Sequence, residues 1–200
     1  MTATTKARRR PLTLADLTEE KRRGLCVAVH EAGHAVAATV LGGRITAAVL
    51  GDGKTFGVLG RTVHRTVPEG TWPSILYAGP WAEARFIAGR RPSQRQLFAV
   101  LDGSGHLDSK ALCAAAAADV YGDTSAEARL TVPTLLERAW PSVISVAQTI
   151  HRTGEARHDD VCEALGITDG GGLTSTQLAN LRAGLRSVPP FATDRQRVTA

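Results

Sequence analysis

The spacing of apolar residues predicts a long helix near the start of the chain. These residues recur every three to four positions, the period of one helix face, at Val29, Gly33, Val36 and Val40. The helix is expected to begin between Asp16 and Thr18, whose side chains can cap a first turn. It is expected to end at Leu41, because Gly42-Gly43 follows.

Downstream of this helix, two runs of β-forming residues, 45–50 and 58–63, flank a glycine-containing turn and predict a hairpin. The remaining patterns predict further helices over 74–88, 94–100, 108–120, 133–152 (with a kink at Pro141), 158–165 and 175–185. The predicted fold class is therefore mainly α with a small β-hairpin.

Length and local composition predict three parts. Residues 1–17 are expected to form a flexible, basic lead, and residues 18–168 a single folded domain. Residues 169–200 are expected to form a Gly-rich joint followed by a weakly ordered basic tail. Two hundred residues suffice for one hydrophobic core and are too few for two full-sized domains.

Charge is concentrated at the two ends of the chain. The formal net charge is +5, yet residues 1–23 carry a surplus of +4 and residues 182–200 a surplus of +3. Residues 24–181 therefore carry −2, which disfavours a folded basic groove for nucleic acid. Nucleic acid is expected to be contacted through the basic tails if it is contacted at all.

Several protein classes are excluded by the same composition. Apolar runs are too short to cross a bilayer, and the basic N-terminus has no apolar stretch after it, so neither a membrane span nor a secretory signal is predicted. The three cysteines, Cys26, Cys113 and Cys162, are scattered and odd in number, which excludes a disulfide scaffold. This usage predicts a reducing compartment, the cytoplasm.

The strongest chemical signal is His30-Glu31-Ala32-Gly33-His34, an HExxH pattern inside the first predicted helix. Residues four apart lie one turn apart on the same face, so both imidazoles can reach one Zn²⁺ ion. Glu31 lies to the side of this pair, where it can contact a metal-activated water without binding the metal. The alternative is that the three side chains simply form the polar face of an amphipathic helix.

A catalytic zinc site needs a third protein ligand, and spacing leaves that ligand open. The candidates are Asp102, Asp108, Asp119, Glu83, His64 and His106. Asp108 opens a predicted helix after a Gly-Ser-Gly segment, so its carboxylate could be directed to a metal or could act as a plain N-cap. Glu83 could instead accept a ring N–H from a ligand histidine, or serve only in helix packing.

With these residues in place, the sequence resembles the proteolytic domain of the FtsH-type ATP-dependent zinc proteases over about residues 25–168. The similar segments follow one order: 27–36 with the HExxH pattern, Gly43-Arg44-Ile45 before the hairpin, 77–83 with Glu83, 104–108 with Asp108, and 135–165. The chain departs from the family pattern at Pro80 and Trp81 and over 89–107.

The resemblance implies a zincin-like helical metallopeptidase domain. It implies His30, His34 and Asp108 as zinc ligands, Glu31 as the catalytic residue, and an extended polypeptide substrate that lies along the hairpin edge. The chain lacks the Gly-x-x-x-x-Gly-Lys-Ser/Thr string of an ATPase module. A separate ATPase or unfoldase is therefore an expected partner.

Two other functions remain open at this point. The chain could be a catalytically silent peptidase-fold module that binds polypeptide or a separate partner. It could also be a regulatory protease that acts on a transcription factor. An oligomer is compatible with either, and the sequence favours the zinc-dependent endopeptidase because it has every residue type that catalysis requires.

Overall fold

The computed structural model describes residues 13–51, 59–119 and 122–191. Within these ranges the protein is mainly helical with one small antiparallel sheet. The helices are α1 (Glu19–Val40), α2 (Trp72–Ala88), α3 (Gln94–Asp102), α4 (His106–Ala118), α5 (Thr124–Arg138), α6 (Trp140–Thr153), α7 (His158–Leu165) and α8 (Thr176–Ala183). The strands are β1 (Arg44–Leu50), β2 (Gly60–Thr66) and β3 (Glu155–Arg157).

Helix α1 is the centre of the core. Thr18 caps its first turn by accepting a hydrogen bond from the Lys21 N–H, and every residue from 28 to 40 is buried. A Cβ atom at Gly33 would lie 2.7 Å from the Ala78 carbonyl oxygen, so the glycine permits close packing of α1 on α2. The predicted helix is thus confirmed, and its buried half carries the HExxH residues.

The predicted hairpin is present, with one additional strand. The order in the sheet is β2-β1-β3, and both pairs are antiparallel. β2 runs from Gly60 to Thr66 and not over 58–63; residue 58 lies outside the described residues. β3 has three residues, too few to give a recognisable alternation of apolar and polar positions, and the sequence analysis missed it.

The helix predicted over 133–152 is wrong in its extent. Two helices replace it, α5 and α6, and they meet at Ala139. Pro141 lies in the first turn of α6, where its missing N–H costs nothing, so it starts a helix here and does not kink one. α5 begins nine residues before Pro133, because the Asp123 carboxylate accepts from the Ala126 N–H at 2.8 Å.

The helix predicted over 175–185 is present as α8, Thr176–Ala183. α8 buries Leu178 and Leu181 against the core, and Arg182 donates to the Val40 carbonyl at 2.7 Å. Residues 192–200 of the expected tail and residues 1–12 of the expected lead lie outside the described residues.

In the part of the chain that the structure describes, no helix combines the length with the apolar character that crossing a membrane requires. The long helix α1 has charged residues in its first turns and histidines in its buried half. Its burial is therefore supplied by the other helices of this domain, above all α2 and α6.

Candidate metal centre

The two histidines of α1 direct their Nε2 atoms to one point. His34 Nδ1 donates to the Ile75 carbonyl at 2.7 Å, and His30 Nδ1 donates to Glu83 Oε2 at 2.9 Å. These bonds fix each ring through its Nδ1 atom and leave Nε2 for a ligand. The rings stand edge to face, with centroids 4.8 Å apart, and the two residues are 8% and 7% exposed.

Asp108 joins the pair from the first turn of α4. Its Oδ2 lies 3.0 Å from His30 Nε2, and its Oδ1 lies 3.5 Å from His34 Nε2. A Cβ atom at Gly105 would lie 3.0 Å from Pro80 on α2, so the glycine lets the start of α4 come close enough for this approach. Among the described residues, these three form the one cluster whose potential ligand atoms all lie within 4.8 Å of one another.

The donor set fits a divalent cation of zinc type. Ligand atoms about 2.0–2.1 Å from a tetrahedral ion are about 3.3 Å apart; the distances from the two Nε2 atoms to the two Asp108 oxygens, 3.0 and 3.5 Å, lie on either side of this value, and the potential ligand atoms of the three residues all lie within 4.8 Å of one another. Two imidazole nitrogens and one carboxylate are a common ligand set for catalytic zinc, with a fourth position for water or substrate. Calcium and magnesium prefer all-oxygen sites, which this cluster does not offer.

Two carboxylates dominate the electrostatics of the cluster. Burial alone lowers the pKa of His30, but the hydrogen bonds to Asp108 and Glu83 outweigh it and raise that pKa to about 10. Burial raises the pKa of Asp108, and the hydrogen bonds from His30 and His34 outweigh it and hold it well below its usual value. Without a cation, His30 is an imidazolium between two carboxylates, and a metal ion would take the place of its Nε2 proton.

Glu83 lies behind His30, on the side away from Asp108. Its Oε2 accepts from His30, and its Oε1 accepts from the Ser104 hydroxyl at 2.7 Å. The structure thus places Glu83 against a histidine and not at the surface. Ser104 was not among the residues predicted for the site, although it lies in the Gly-Ser-Gly segment that precedes Asp108.

Gly79 explains why α2 can pass beneath the site. A Cβ atom at this position would clash with the His34 imidazole. The glycine lies inside the helix, where it costs helix stability relative to alanine, so the close approach of ring and backbone is the physical reason for it.

Glu31 is buried beside the cluster, and its carboxylate accepts a hydrogen bond from a residue of the sheet. The Thr62 hydroxyl donates to Glu31 Oε2 at 2.6 Å and lies 3.2 Å from the Glu31 carbonyl oxygen. On the other side, a Cβ atom at Gly60 would lie 2.7 Å from Glu31 Oε1. Sequence reasoning found neither β2 residue, since only the register of the folded sheet brings them to α1.

The outer edge of β2 passes this carboxylate. The Gly51 N–H donates to the Leu59 carbonyl at 2.8 Å. Gly51 follows β1 and Leu59 precedes β2, so the two residues continue the ladder as a hydrogen-bonded pair. Bonded and non-bonded pairs alternate in an antiparallel ladder, so Gly60 and Thr62 direct their backbone N–H and C=O groups away from β1. β2 lies at the edge of the described sheet, and these groups face outward beside Glu31.

The other candidate ligands lie apart from this cluster. Asp119 accepts hydrogen bonds from Gly122 and Thr124, and His106 contacts the Gly103 carbonyl. His64 packs edge to face on Trp72, and burial together with the charge of His34 lowers its pKa to about 4. Within the described residues, Asp102 likewise takes no part in the metal-type cluster.

Comparison with known proteins adds no family to this description. The sequence matches no protein-family model, and no curated protein matches it significantly.

Proposed function

We propose that this protein is a zinc-dependent endopeptidase with a zincin-like domain of the FtsH type. The observation that carries the proposal is the meeting of His30, His34 and Asp108 with Glu31 buried next to them. Two imidazoles and a carboxylate form the ligand set, and the second carboxylate is free to act on a proton.

His30 and His34 would hold the ion through Nε2, and Asp108 would complete the ligand set through its carboxylate. A zinc ion bound there supplies a Lewis acid that lowers the pKa of a water and polarises a carbonyl group. Glu83 and the Ile75 carbonyl keep the two rings in their ligand orientation through the Nδ1 atoms.

Glu31 acts as the general base and then as the general acid. It accepts a proton from the attacking water and returns it to the leaving amine when the peptide bond breaks. The burial of its side chain limits the competition of bulk water for this proton.

Extended or unfolded polypeptide is the substrate class that the edge of β2 favours. Outward-facing backbone groups of Gly60 and Thr62 can bond a substrate strand irrespective of its side chains. Folded proteins do not offer such a strand, so a separate unfoldase would widen the range of substrates. The three cysteines are all free, which supports action in the reducing cytoplasm.

The test is hydrolysis of denatured casein by the zinc-loaded protein. Glu31→Gln should retain zinc and lose about 10²- to 10⁴-fold in kcat, because it removes the base and no ligand. Glu20→Gln, at an exposed position of the same helix, is the matched control and should cleave at the wild-type rate. Equal rates for Glu31→Gln and wild type would contradict the proposal.

A further inference from the structure

The hydroxyl group of Thr62 joins the edge strand to the carboxylate of Glu31. We infer that Thr62 is a positioning residue, which orients Glu31 for proton transfer and fixes it relative to a substrate strand on β2. The inference rests on the proposed peptidase function, because it assigns how the base of that reaction is held.

The hydrogen-bond geometry gives Thr62 one role toward Glu31. A hydroxyl has a single proton, and the 2.6 Å contact with Oε2 is much shorter than the 3.2 Å contact with the Glu31 carbonyl oxygen. The proton therefore goes to the carboxylate. A short O–H···O⁻ bond of this kind is stronger than a bond between neutral groups.

Burial makes this bond important for the orientation of the carboxylate. Glu31 is 6% exposed, so water can satisfy little of its charge. Among the described residues, Thr62 is the one side chain that donates a hydrogen bond to it. The backbone of Gly60 packs against the Oε1 side of the carboxylate. The Thr62 hydrogen bond and this backbone contact together restrict rotation of the carboxylate.

Thr62 also lies where substrate is proposed to bind. Its side chain faces Glu31, whereas its backbone N–H and C=O face the open edge of the strand. A peptide that pairs with this backbone is therefore held by the same residue whose hydroxyl restrains the base. Loss of the hydroxyl should disturb the alignment of base and substrate, and so lower kcat more than it changes KM.

The test is a series of substitutions that separates the hydroxyl from the shape of the side chain. Thr62→Val keeps the β-branched shape and removes the hydroxyl; Thr62→Ala removes both; Thr62→Ser keeps the hydroxyl on a smaller side chain. We expect Val and Ala variants to lose about 10- to 100-fold in kcat with KM near wild type, and the Ser variant to recover most of the rate. Rates that follow size, with Val above Ser, would overturn the inference.

A matched control comes from the same strand. Thr66→Val removes a threonine hydroxyl from an exposed position at the end of β2, and it should leave kcat unchanged. Zinc content should equal wild type in every variant, because Thr62 contacts no ligand residue in the described hydrogen bonds. A loss of zinc from Thr62→Val that matches its loss of rate would overturn the inference, since the effect would then run through the metal.

A second readout does not depend on catalysis. In zinc-free protein, urea unfolding of wild type, Thr62→Val, Glu31→Ala and the double variant forms a double-mutant cycle. We expect Thr62→Val to lower the unfolding midpoint in the wild-type background and to have a much smaller effect with Ala at position 31. Additive effects would overturn the inference.

The two readouts also separate this inference from the proposed function. If wild type and Glu31→Gln are equally inactive on casein, the peptidase proposal fails and the positioning role fails with it, whatever the unfolding cycle gives. If wild type is active, Glu31→Gln is inactive and Thr62→Val retains full kcat, the function stands and the inference about Thr62 alone is overturned.

Discussion

In the described structure, helices α1 and α7 each carry a histidine and a second potential metal ligand four residues apart, and a carboxylate from another helix joins the pair on α1 alone. His30 and His34 on α1 meet Asp108 from α4. His158 and Cys162 on α7 are also four residues apart, with His158 Nε2 3.6 Å from the sulfur atom. In the described structure, no third acidic, histidine or cysteine ligand joins this second pair.

The surroundings of the two pairs explain the difference. Each ring on α1 donates through Nδ1 to an oxygen atom of α2, whereas the buried Nδ1 of His158 has no hydrogen-bond partner among the described residues. Asp169 follows α7, and its carboxylate accepts hydrogen bonds from the Ser175 hydroxyl and the Gly171 N–H instead of facing the His158–Cys162 pair. The spacing within one helix can bring two potential ligands together. A ligand from another helix, and hydrogen bonds that orient each ring through Nδ1, decide whether the pair can become part of a metal site.

The largest expected effect is loss of the ion from the α1 pair. His34→Ala should reduce the zinc content from about one ion per chain to almost none after dialysis, because two ligands hold zinc far more weakly than three. His158→Ala is the matched control and should keep the ion. Elemental analysis of the two variants measures this, and zinc that leaves with His158 would break the comparison.

A smaller effect is expected from the outer hydrogen bond of His30. Glu83→Gln removes the negative charge that accepts from Nδ1 and should weaken zinc binding by about 10- to 100-fold. Glu137→Gln removes a carboxylate that pairs with Arg85 at 2.9 Å, away from the ligands, and should leave zinc affinity unchanged. Competition with a chelating dye compares the two, and equal affinities would show that Glu83 has no part in holding the ring.

The smallest effect is in the pH dependence of stability without zinc. Carboxylates raise the pKa of His30, whereas burial and the charge of Arg44 lower the pKa of His158. Folding thus favours charged His30, a contribution present below about pH 6.5 and lost as pH rises toward 10. Folding favours neutral His158, a contribution present above about pH 6.5 and lost as pH falls below it.

Urea unfolding at a series of pH values checks both signs. Relative to wild type, His30→Gln should flatten the loss of stability on the alkaline side, and His158→Gln should flatten it on the acid side. The same sign for both variants would show that the two histidines have similar electrostatic surroundings, contrary to the comparison.

Local spacing let the sequence predict the ligand pair and most helices. His30, Glu31 and His34 share one helix, and α7 was predicted to the residue. Asp108 was 74 residues beyond His34, so spacing left it among six candidates and the family resemblance selected it. That the three meet is a finding of the structure; that they bind zinc remains a prediction.

Contacts between residues far apart in the sequence could not be predicted from local patterns. Thr62 reaches Glu31 through the register of β2 on β1, which shifts between Arg44 and Ala47 and cannot be predicted from local spacing. β3 gains its strand conformation from pairing with β1 and not from its own three residues. Local patterns predict a single helix kinked at Pro141, whereas the structure has two helices. Pro141 lies in the first turn of α6, a position that proline favours.

Anomalous X-ray diffraction from zinc-loaded crystals, recorded on both sides of the zinc absorption edge, tests the central claim most directly. The account predicts one strong peak about 2.0–2.2 Å from His30 Nε2, His34 Nε2 and an oxygen atom of Asp108, with Glu31 outside bonding distance. A zinc peak bound by Glu31, or one located at His158 and Cys162 with the α1 histidines empty, would contradict it.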